Sequence, residues 1–389
     1  MLSDLAFGLV SRGFDVHVVT SRQRYDDPKA ELPAQETIRG VQVIRVKTTS
    51  FGRRNTLGRL VDYLGFYASA TWALFKLADR ETIVIAKTDP PLISVPAAAI
   101  CKLRGASLVN WLQDLFPEVA TALGIPATKG TMGELLKRMR NWSLHTAHCN
   151  VAIGQRMQEQ LIAQKIPAEK IKVIHNWADG SSIKPVQPEE NPLLSEWNLQ
   201  SKFVVGYSGN LGKAHEFETI LAAAKLFESR QQNDVLFLFI GGGAQAEQVR
   251  KAAEKYGLSN VLFKPYQPRN LLHLSLGAAD AHLVVLRPEL EGLIVPSKFY
   301  GIAAAGRPVL FIGSPDGEVA SLIASSASGE QIDPGDGEAL AAAILRLKNT
   351  VQIKPTGRSL FESHFDFPVA LSQWCQLLNS AADAAKSRV

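Results

Sequence analysis

The sequence predicts an α/β protein made of two doubly wound domains, and three observations predict it. The 389 residues suit two domains at a prior of about 150 residues each. Short runs of Val, Ile, Leu and Phe recur along the chain, apolar on both faces, as strands of a helix-covered parallel sheet must be. Segments with helical spacing separate these runs, so strands and helices alternate from end to end.

Composition narrows the class. Hydrophobic residues make up 46% and charged residues 20%, which excludes a disordered or collagen-like chain. Cys101, Cys149 and Cys375 lie far apart and offer neither a CxxC pair nor metal-ligand spacing, so a reducing cytoplasmic setting is expected. The opening MLSDLAFGLV carries Asp4 and no basic leader, against a signal peptide. The longest apolar run, Leu64 to Leu74, is short of the roughly 20 residues a spanning helix needs. Charge is uneven: residues 1–178 hold 23 basic and 15 acidic side chains, and the remainder 19 and 22. The first half is therefore expected to face an anion or an anionic surface.

In order along the chain, Leu2, Leu5, Ala6 and Leu9 mark a first helix. The first-half strands are Val16–Thr20, Val41–Val46, Ile83–Ala86, Leu108–Trp111, His148–Ile153 and Ile171–Ile174. A doubly wound unit normally opens with a central strand and a glycine-rich turn, whereas here a helix comes first. Either about 20 residues, one strand and one turn, precede Met1, or the first sheet lacks a central strand; the former is preferred. The first domain is expected over 1–177. The polar, Pro-bearing stretch 178–202 reads as a linker. The second domain, 203–365, holds strands Phe203–Ser208, Val235–Ile240, Val261–Lys264, Ala281–Leu286 and Pro308–Ile312, with Ile220, Ala223, Ala224 and Phe227 at helical spacing. An amphipathic helix over Pro368–Leu378 lies in the tail, 366–389.

The chemistry is expected at strand ends, where open α/β sheets bind ligands. FVVGYSGNLGK ends in Gly209, Asn210, Gly212 and Lys213, a turn whose amides and lysine suit a phosphate or serve only as a tight βα turn. FLFIGGGAQA matches a dinucleotide fingerprint only formally, because no acidic partner follows at the right distance. RPELEGLIVPSKFYGIAAAG is the most heavily functionalised segment. Glu289 and Glu291 suit sugar hydroxyls, Pro296 and Ser297 open a helix, with Ser297 a candidate cap, and Lys298 adds charge for a diphosphate. NWLQDLFPE puts Gln113 and Asp114 on another strand end, where they bind an acceptor hydroxyl, act as a base or cap a helix; Asp89 sits on the same side. Arg45, Lys47, Arg53, Arg54 and Arg59 precede an aromatic-rich stretch, and Leu135–Trp142 mixes the same ingredients. Both suit an anionic membrane surface or a core helix with a basic edge. No nucleic-acid motif is present, so nucleic acid is not an expected partner. No Asp-x-Asp, HExxH or Gly-x-Ser-x-Gly occurs, and no metal site is expected.

YSGNLGK, FIGGG, EGLIVPSKFYGIAAAGRPVLFIG and GEQIDPGDGEAL, in this order, resemble the second domain of family 4 glycosyltransferases. QDLFPE and VIHNWADG resemble the first domain and linker of the bacterial surface-polysaccharide members, of the colanic-acid and O-antigen fucosamine type. The resemblance covers nearly the whole chain. It implies the GT-B architecture, with two Rossmann-like domains across a cleft and the last helix crossing back to the first. It also implies a retaining, metal-independent transferase, with a UDP-sugar as co-substrate and no other cofactor. A lipid-linked saccharide of the undecaprenyl diphosphate type is the implied acceptor, at the cytoplasmic face of the bacterial plasma membrane. Glu291 matches the first glutamate of the family's E-x7-E signature and the second falls at Gly301. Asn210 replaces a frequent Arg, leaving Lys213 and Lys298 for the diphosphate, and a common His-Asp pair reads Gln113-Asp114. The loop with Tyr266, Gln267 and Arg269 receives the base. Two rival readings are a non-hydrolysing UDP-sugar epimerase and a non-catalytic nucleotide-sugar-binding scaffold.

Overall fold

The computed structural model describes residues 1–23, 32–49, 56–350 and 356–386. The first seven strands are β1 His17–Ser21, β2 Gln35–Ile38, β3 Val41–Val46, β4 Ile83–Lys87, β5 Ser107–Trp111, β6 Cys149–Ala152 and β7 Ile171–Val173. They form two sheets, ordered β1-β3-β2 and β4-β5-β6-β7. Among the described residues no strand pairs with the outer edge of β1 or of β4. Burial follows from this: β5 and β6 are buried throughout, whereas β1 and β4 are mostly half-buried. β2 pairs antiparallel with β3 through the two-residue turn Arg39-Gly40, both at positive φ, the geometry of a tight hairpin. The polar sequence of β2 gave no apolar run to mark it.

The second domain holds β8 Phe203–Asn210, β9 Val235–Gly242, β10 Val261–Lys264, β11 Ala281–Val285, β12 Val309–Ile312 and β13 Gly329–Ile332. All are parallel, in the order β10-β9-β8-β11-β12-β13. Chain order reverses between β8 and β11, so the switch-point crevice opens at their carboxyl ends. β13, sequence GEQI, is a polar edge strand without an apolar signature.

The stretch 178–202 is a linker only in its first part. Helix Pro192–Glu196 forms within it, and Leu193, Trp197 and Leu199 are buried with Val204, Leu238 and Ile240. Its later residues belong to the second domain, because their apolar side chains cover one face of that sheet.

The C-terminal helix Phe367–Lys386 returns to the first domain. Its Trp374 meets Trp111 of β5 edge-on at 5.2 Å, and Trp111 stacks on Trp177 at 5.7 Å. Gly8, in the helix Leu2–Ser11, lets that helix close on Phe367 and Leu371, since a Cβ there would lie 2.7 Å from the Phe367 ring. One apolar core runs from Leu5 and Trp111 through Trp374 to Val284 and Phe299, joining the two domains.

Candidate active site

β8 is buried from Val204 to Tyr207 because both faces are covered there, and it delivers a fully buried Tyr207 beneath the turn 209–213. The Tyr207 hydroxyl donates to the Asn210 carbonyl at 2.8 Å. Its oxygen accepts from Lys298 Nζ at 2.6 Å, and that amine lies 3.8 Å from the ring centroid. Burial pushes the Lys298 amine down to about 7. Among the described residues no carboxylate pairs with it. The lysine stem runs beside Gly209, where an added Cβ would sit 3.7 Å from Lys298 Cε.

The second glycine turn, after β9, nests under the first. Gly241 and Gly243 take φ of +136° and +137°, which side chains rarely adopt. A Cβ on Gly241 would lie 2.2 Å from the Gly209 carbonyl oxygen, and one on Gly243 2.2 Å from Asn210 Oδ1. FIGGG is thus the floor of the 209–213 turn. Leu211 N–H donates to the Gly242 carbonyl at 2.7 Å and Gly212 N–H reaches His215 Nδ1 at 3.3 Å. Two amides of the turn are therefore already engaged, and the anion-binding capacity shifts toward side chains.

His215 was not singled out by the sequence, because a lone histidine two residues before Phe217 carries no motif. Its ring stands edge-on to Tyr207, with centroids 6.0 Å apart. Burial, with the Lys298 and Arg287 charges, holds it down to about 4. Lys213, by contrast, is exposed, and Lys298 is the cation packed beneath the turn. Ser297 occupies the N-cap position of helix Lys298–Ala304 but makes no side-chain cap bond, which corrects the capping expectation. Its main chain is already in the helical region, unlike the extended backbone of most capping residues.

Glu291 points elsewhere than the turn. Its Oε1 accepts Glu318 N–H at 2.8 Å, at the start of helix Glu318–Ser326, and burial raises its pKa. Glu318, only 3% exposed, in turn accepts Arg156 N–H of the first domain at 2.9 Å and lies 3.9 Å from His175 Nδ1. Glu289 is exposed on the same segment. Across the seam, Asp114 bridges Ile294, and Leu115 N–H donates to the Leu293 carbonyl at 2.9 Å. Burial and the field of Asp89 push Asp114 up to about 6, and its Oδ1 is buried without a partner. Gln113 exchanges two amide hydrogen bonds of 3.1 Å with Asn176, and its backbone N–H donates to Thr88 Oγ1 at 2.8 Å. Asp89 is exposed beside this cluster.

On the loop after β10, Tyr266 lies over Gly241 and Gly242 and donates to the Gly242 carbonyl at 3.3 Å. Gln267 turns back on the Pro265 carbonyl at 3.0 Å. Arg269 pairs with Asp4 of the first domain at 3.4 Å, a contact between the lobes.

The basic clusters fare differently. Arg53 and Arg54 and the side chain of Arg59 lie outside the described residues. Arg45 is paired with Glu36 of β2, and Arg140 is buried against Glu118 at 2.7 Å, so neither is a free surface cation. Lys47 and Arg138 are exposed. Helix Gly130–Thr146 leaves Met132, Leu135, Met139 and Trp142 exposed, one stripe at spacings of three and four. The neighbouring helices Thr56–Leu77 and Ser94–Arg104 expose Val61, Leu64, Trp72 and Leu103. Among the described residues no helix is long and apolar enough to cross a membrane, and no cluster of His, Cys, Asp and Glu is placed to hold a metal ion.

Comparison with known proteins places both halves. Residues 1–177 match the glycosyl transferase 4-like domain and residues 195–352 the glycosyl transferases group 1 family. A probable glycosyltransferase, WbjE of Pseudomonas aeruginosa, is 30% identical over 268 residues, covering 69% of this chain and 66% of that one. The colanic acid biosynthesis glycosyl transferase named WcaI, of Escherichia coli K12, is 26% identical over 297 residues, covering 75% and 72%. Sucrose-phosphate synthase from Thermosynechococcus elongatus shares the fold with TM-score 0.78 at 16% identity, over 98% of this chain and 93% of that one. HepE of Anabaena, solved with UDP and glucose, superposes with TM-score 0.68 at 19% identity, over 88% and 87%. These likenesses assign the GT-B fold.

Proposed function

The chain belongs to the family 4 glycosyltransferases, and on that premise we propose that it moves a sugar from a UDP-sugar to a lipid-linked saccharide during surface-polysaccharide synthesis. The observation that carries this is Lys298, an amine at the switch-point crevice beside a glycine turn, held by a hydroxyl instead of a carboxylate. A buried cation without a counter-ion favours an anionic ligand, and a nucleotide diphosphate supplies one. UDP bound to the structurally similar HepE, and colanic acid in the name of WcaI, support the donor and pathway class.

Transfer then runs as follows. The bond from the sugar C1 to the diphosphate oxygen breaks while the acceptor oxygen bonds to C1 from the same face. The departing phosphate oxygen takes the acceptor proton, so the anomer is retained. Lys298 stabilises the charge that develops on the leaving diphosphate. Glu291 orients the donor sugar, and Tyr266 covers the base over the glycine floor. Asp114, across the seam, meets the acceptor. The exposed apolar stripes, set in the more basic half of the chain, rest on the anionic inner face of the plasma membrane.

The test is a donor screen with UDP-, GDP- and dTDP-sugars against polyprenyl-diphosphate saccharides, following label into lipid. Transfer from a UDP-sugar supports the reading. Epimer formation without acceptor, or transfer only from another nucleotide class, overturns it.

A further inference from the structure

The turn 209–215 presents an unusual inventory to a diphosphate. Its Leu211 amide is committed to the Gly242 carbonyl, and its Gly212 amide faces His215 Nδ1. The Tyr207 proton is committed to Asn210, so Tyr207 is only an acceptor for Lys298. His215 has two partners prepared on one residue. Bare Nδ1 accepts Gly212 N–H at 3.3 Å, and Nδ1–H donates to the Gly212 carbonyl at 3.2 Å, an oxygen that also accepts His215 N–H at 3.1 Å and Gln245 Nε2 at 3.0 Å. With the neutral ring protonated on Nε2, a proton added at Nδ1 releases the Gly212 amide without moving the turn.

We propose that this crevice takes up protons together with its diphosphate: Lys298 becomes an ammonium ion, and His215 becomes an imidazolium that frees the Gly212 N–H for a phosphate oxygen. The proposal deepens, and rests on, the reading of the crevice as a nucleotide-diphosphate site. The surrounding groups point the same way. Burial raises the Tyr207 phenol of β8 and keeps it neutral, and Tyr266 lies on the loop after β10. Arg287, after β11, adds positive charge near the ring. Lys213 is exposed, and the Glu216 carboxylate is turned to Thr219, accepting its N–H at 2.7 Å and its hydroxyl at 2.8 Å. No carboxylate pairs with Lys298 among the described residues; burial pushes the amine down to about 7, and burial with the Lys298 and Arg287 charges pushes the ring down to about 4. An incoming diphosphate reverses the local field and lifts both values. Lys298 is then the charge switch, and His215 a positioning residue that also donates.

Calorimetry of UDP binding, repeated in buffers of different ionisation enthalpy, reads the protons directly. Near pH 8 the terminal phosphate of UDP is already ionised, so uptake comes from the protein. Nearly one proton per UDP is expected, with affinity falling about tenfold per pH unit above that point. Lys298→Arg, permanently charged, is expected to bind UDP with little uptake and a flat pH dependence. Near pH 6, where Lys298 is already charged, UDP-glucose is the probe because its diphosphate has no oxygen titrating there; the remaining uptake is expected to vanish in His215→Gln. UDP binding whose heat is independent of buffer overturns the proposal and leaves the site reading intact. Full uptake in Lys298→Arg also overturns it, and uptake near pH 6 that survives His215→Gln removes the histidine's part. Failure of UDP, GDP and dTDP all to bind overturns the site reading itself.

Discussion

The Glu291 carboxylate accepts the backbone N–H of Glu318 at 2.8 Å, so the acid expected beside the donor sugar also closes the start of a helix. Glu318 carries the chain of contacts on to Arg156 in the other lobe. The proposed sugar-binding role and the domain seam thus meet in one side chain.

The two roles separate by substitution. Burial raises the Glu291 pKa, so its stabilising contribution is full below the ordinary glutamate range and is lost as pH rises through the raised folded value. At neutral pH Glu291→Gln is expected to leave the Tm unchanged or higher, while Glu291→Ala costs about 0.5–2 kcal/mol as a lost cap. Transfer is expected to fall at least about tenfold in both, since only the ionised acid receives the sugar hydroxyls fully. Wild-type turnover in Glu291→Gln would confine the residue to capping.

Asp114 sets an acid limb. With its pKa pushed up to about 6, kcat/KM is expected to climb as pH rises through that value. Because the ionised carboxylate holds the acceptor hydroxyl while the departing phosphate takes its proton, Asp114→Asn is expected to flatten the limb and lower kcat/KM for the acceptor about tenfold. The same shift fixes the sign for stability: the contribution is full below about 3.9 and lost as pH rises through about 6. The variant should therefore melt higher than wild type at pH 8. An unchanged acid limb in Asp114→Asn would exclude the residue from the rate.

Lys298→Ala is expected to weaken UDP binding by about 1–3 kcal/mol, the range for a lost charged hydrogen bond. Tyr207→Phe removes only the acceptor that aims the amine, and a smaller loss is expected. Titration calorimetry checks both; equal affinity of wild type and Lys298→Ala would remove the lysine from the diphosphate site.

Leu135→Ser combined with Trp142→Ser is expected to lower binding to anionic vesicles several-fold with no change in Tm, because both side chains are 51% and 41% exposed. Co-flotation at two salt concentrations measures it. Undiminished binding would clear that face of membrane contact.

Trp374 packs edge-on to Trp111 with no exposure at all. Trp374→Ala is expected to destabilise the protein by about 3–5 kcal/mol in denaturant titration, because the C-terminal helix loses its anchor on the first domain. A loss below about 1 kcal/mol would mean that the helix is held by its ends.

The sequence alone determined most strands, since a strand buried on both faces must be largely apolar and β5, β8, β9 and β11 are written that way. It also determined the two glycine turns, because few other residues tolerate the backbone of Gly241 and Gly243. Polar β2 and β13 escaped it, as edge strands need no apolar run. Only the tertiary structure decided which lysine is buried: Lys213 and Lys298 look alike in sequence, and Lys298 packs against Tyr207 while Lys213 stays exposed. His215 gained its place the same way, from a ring set edge-on to Tyr207 at a strand end and not from any neighbour in sequence. Periodicity reports what each segment buries, whereas proton affinity and partnership depend on which distant groups share that burial.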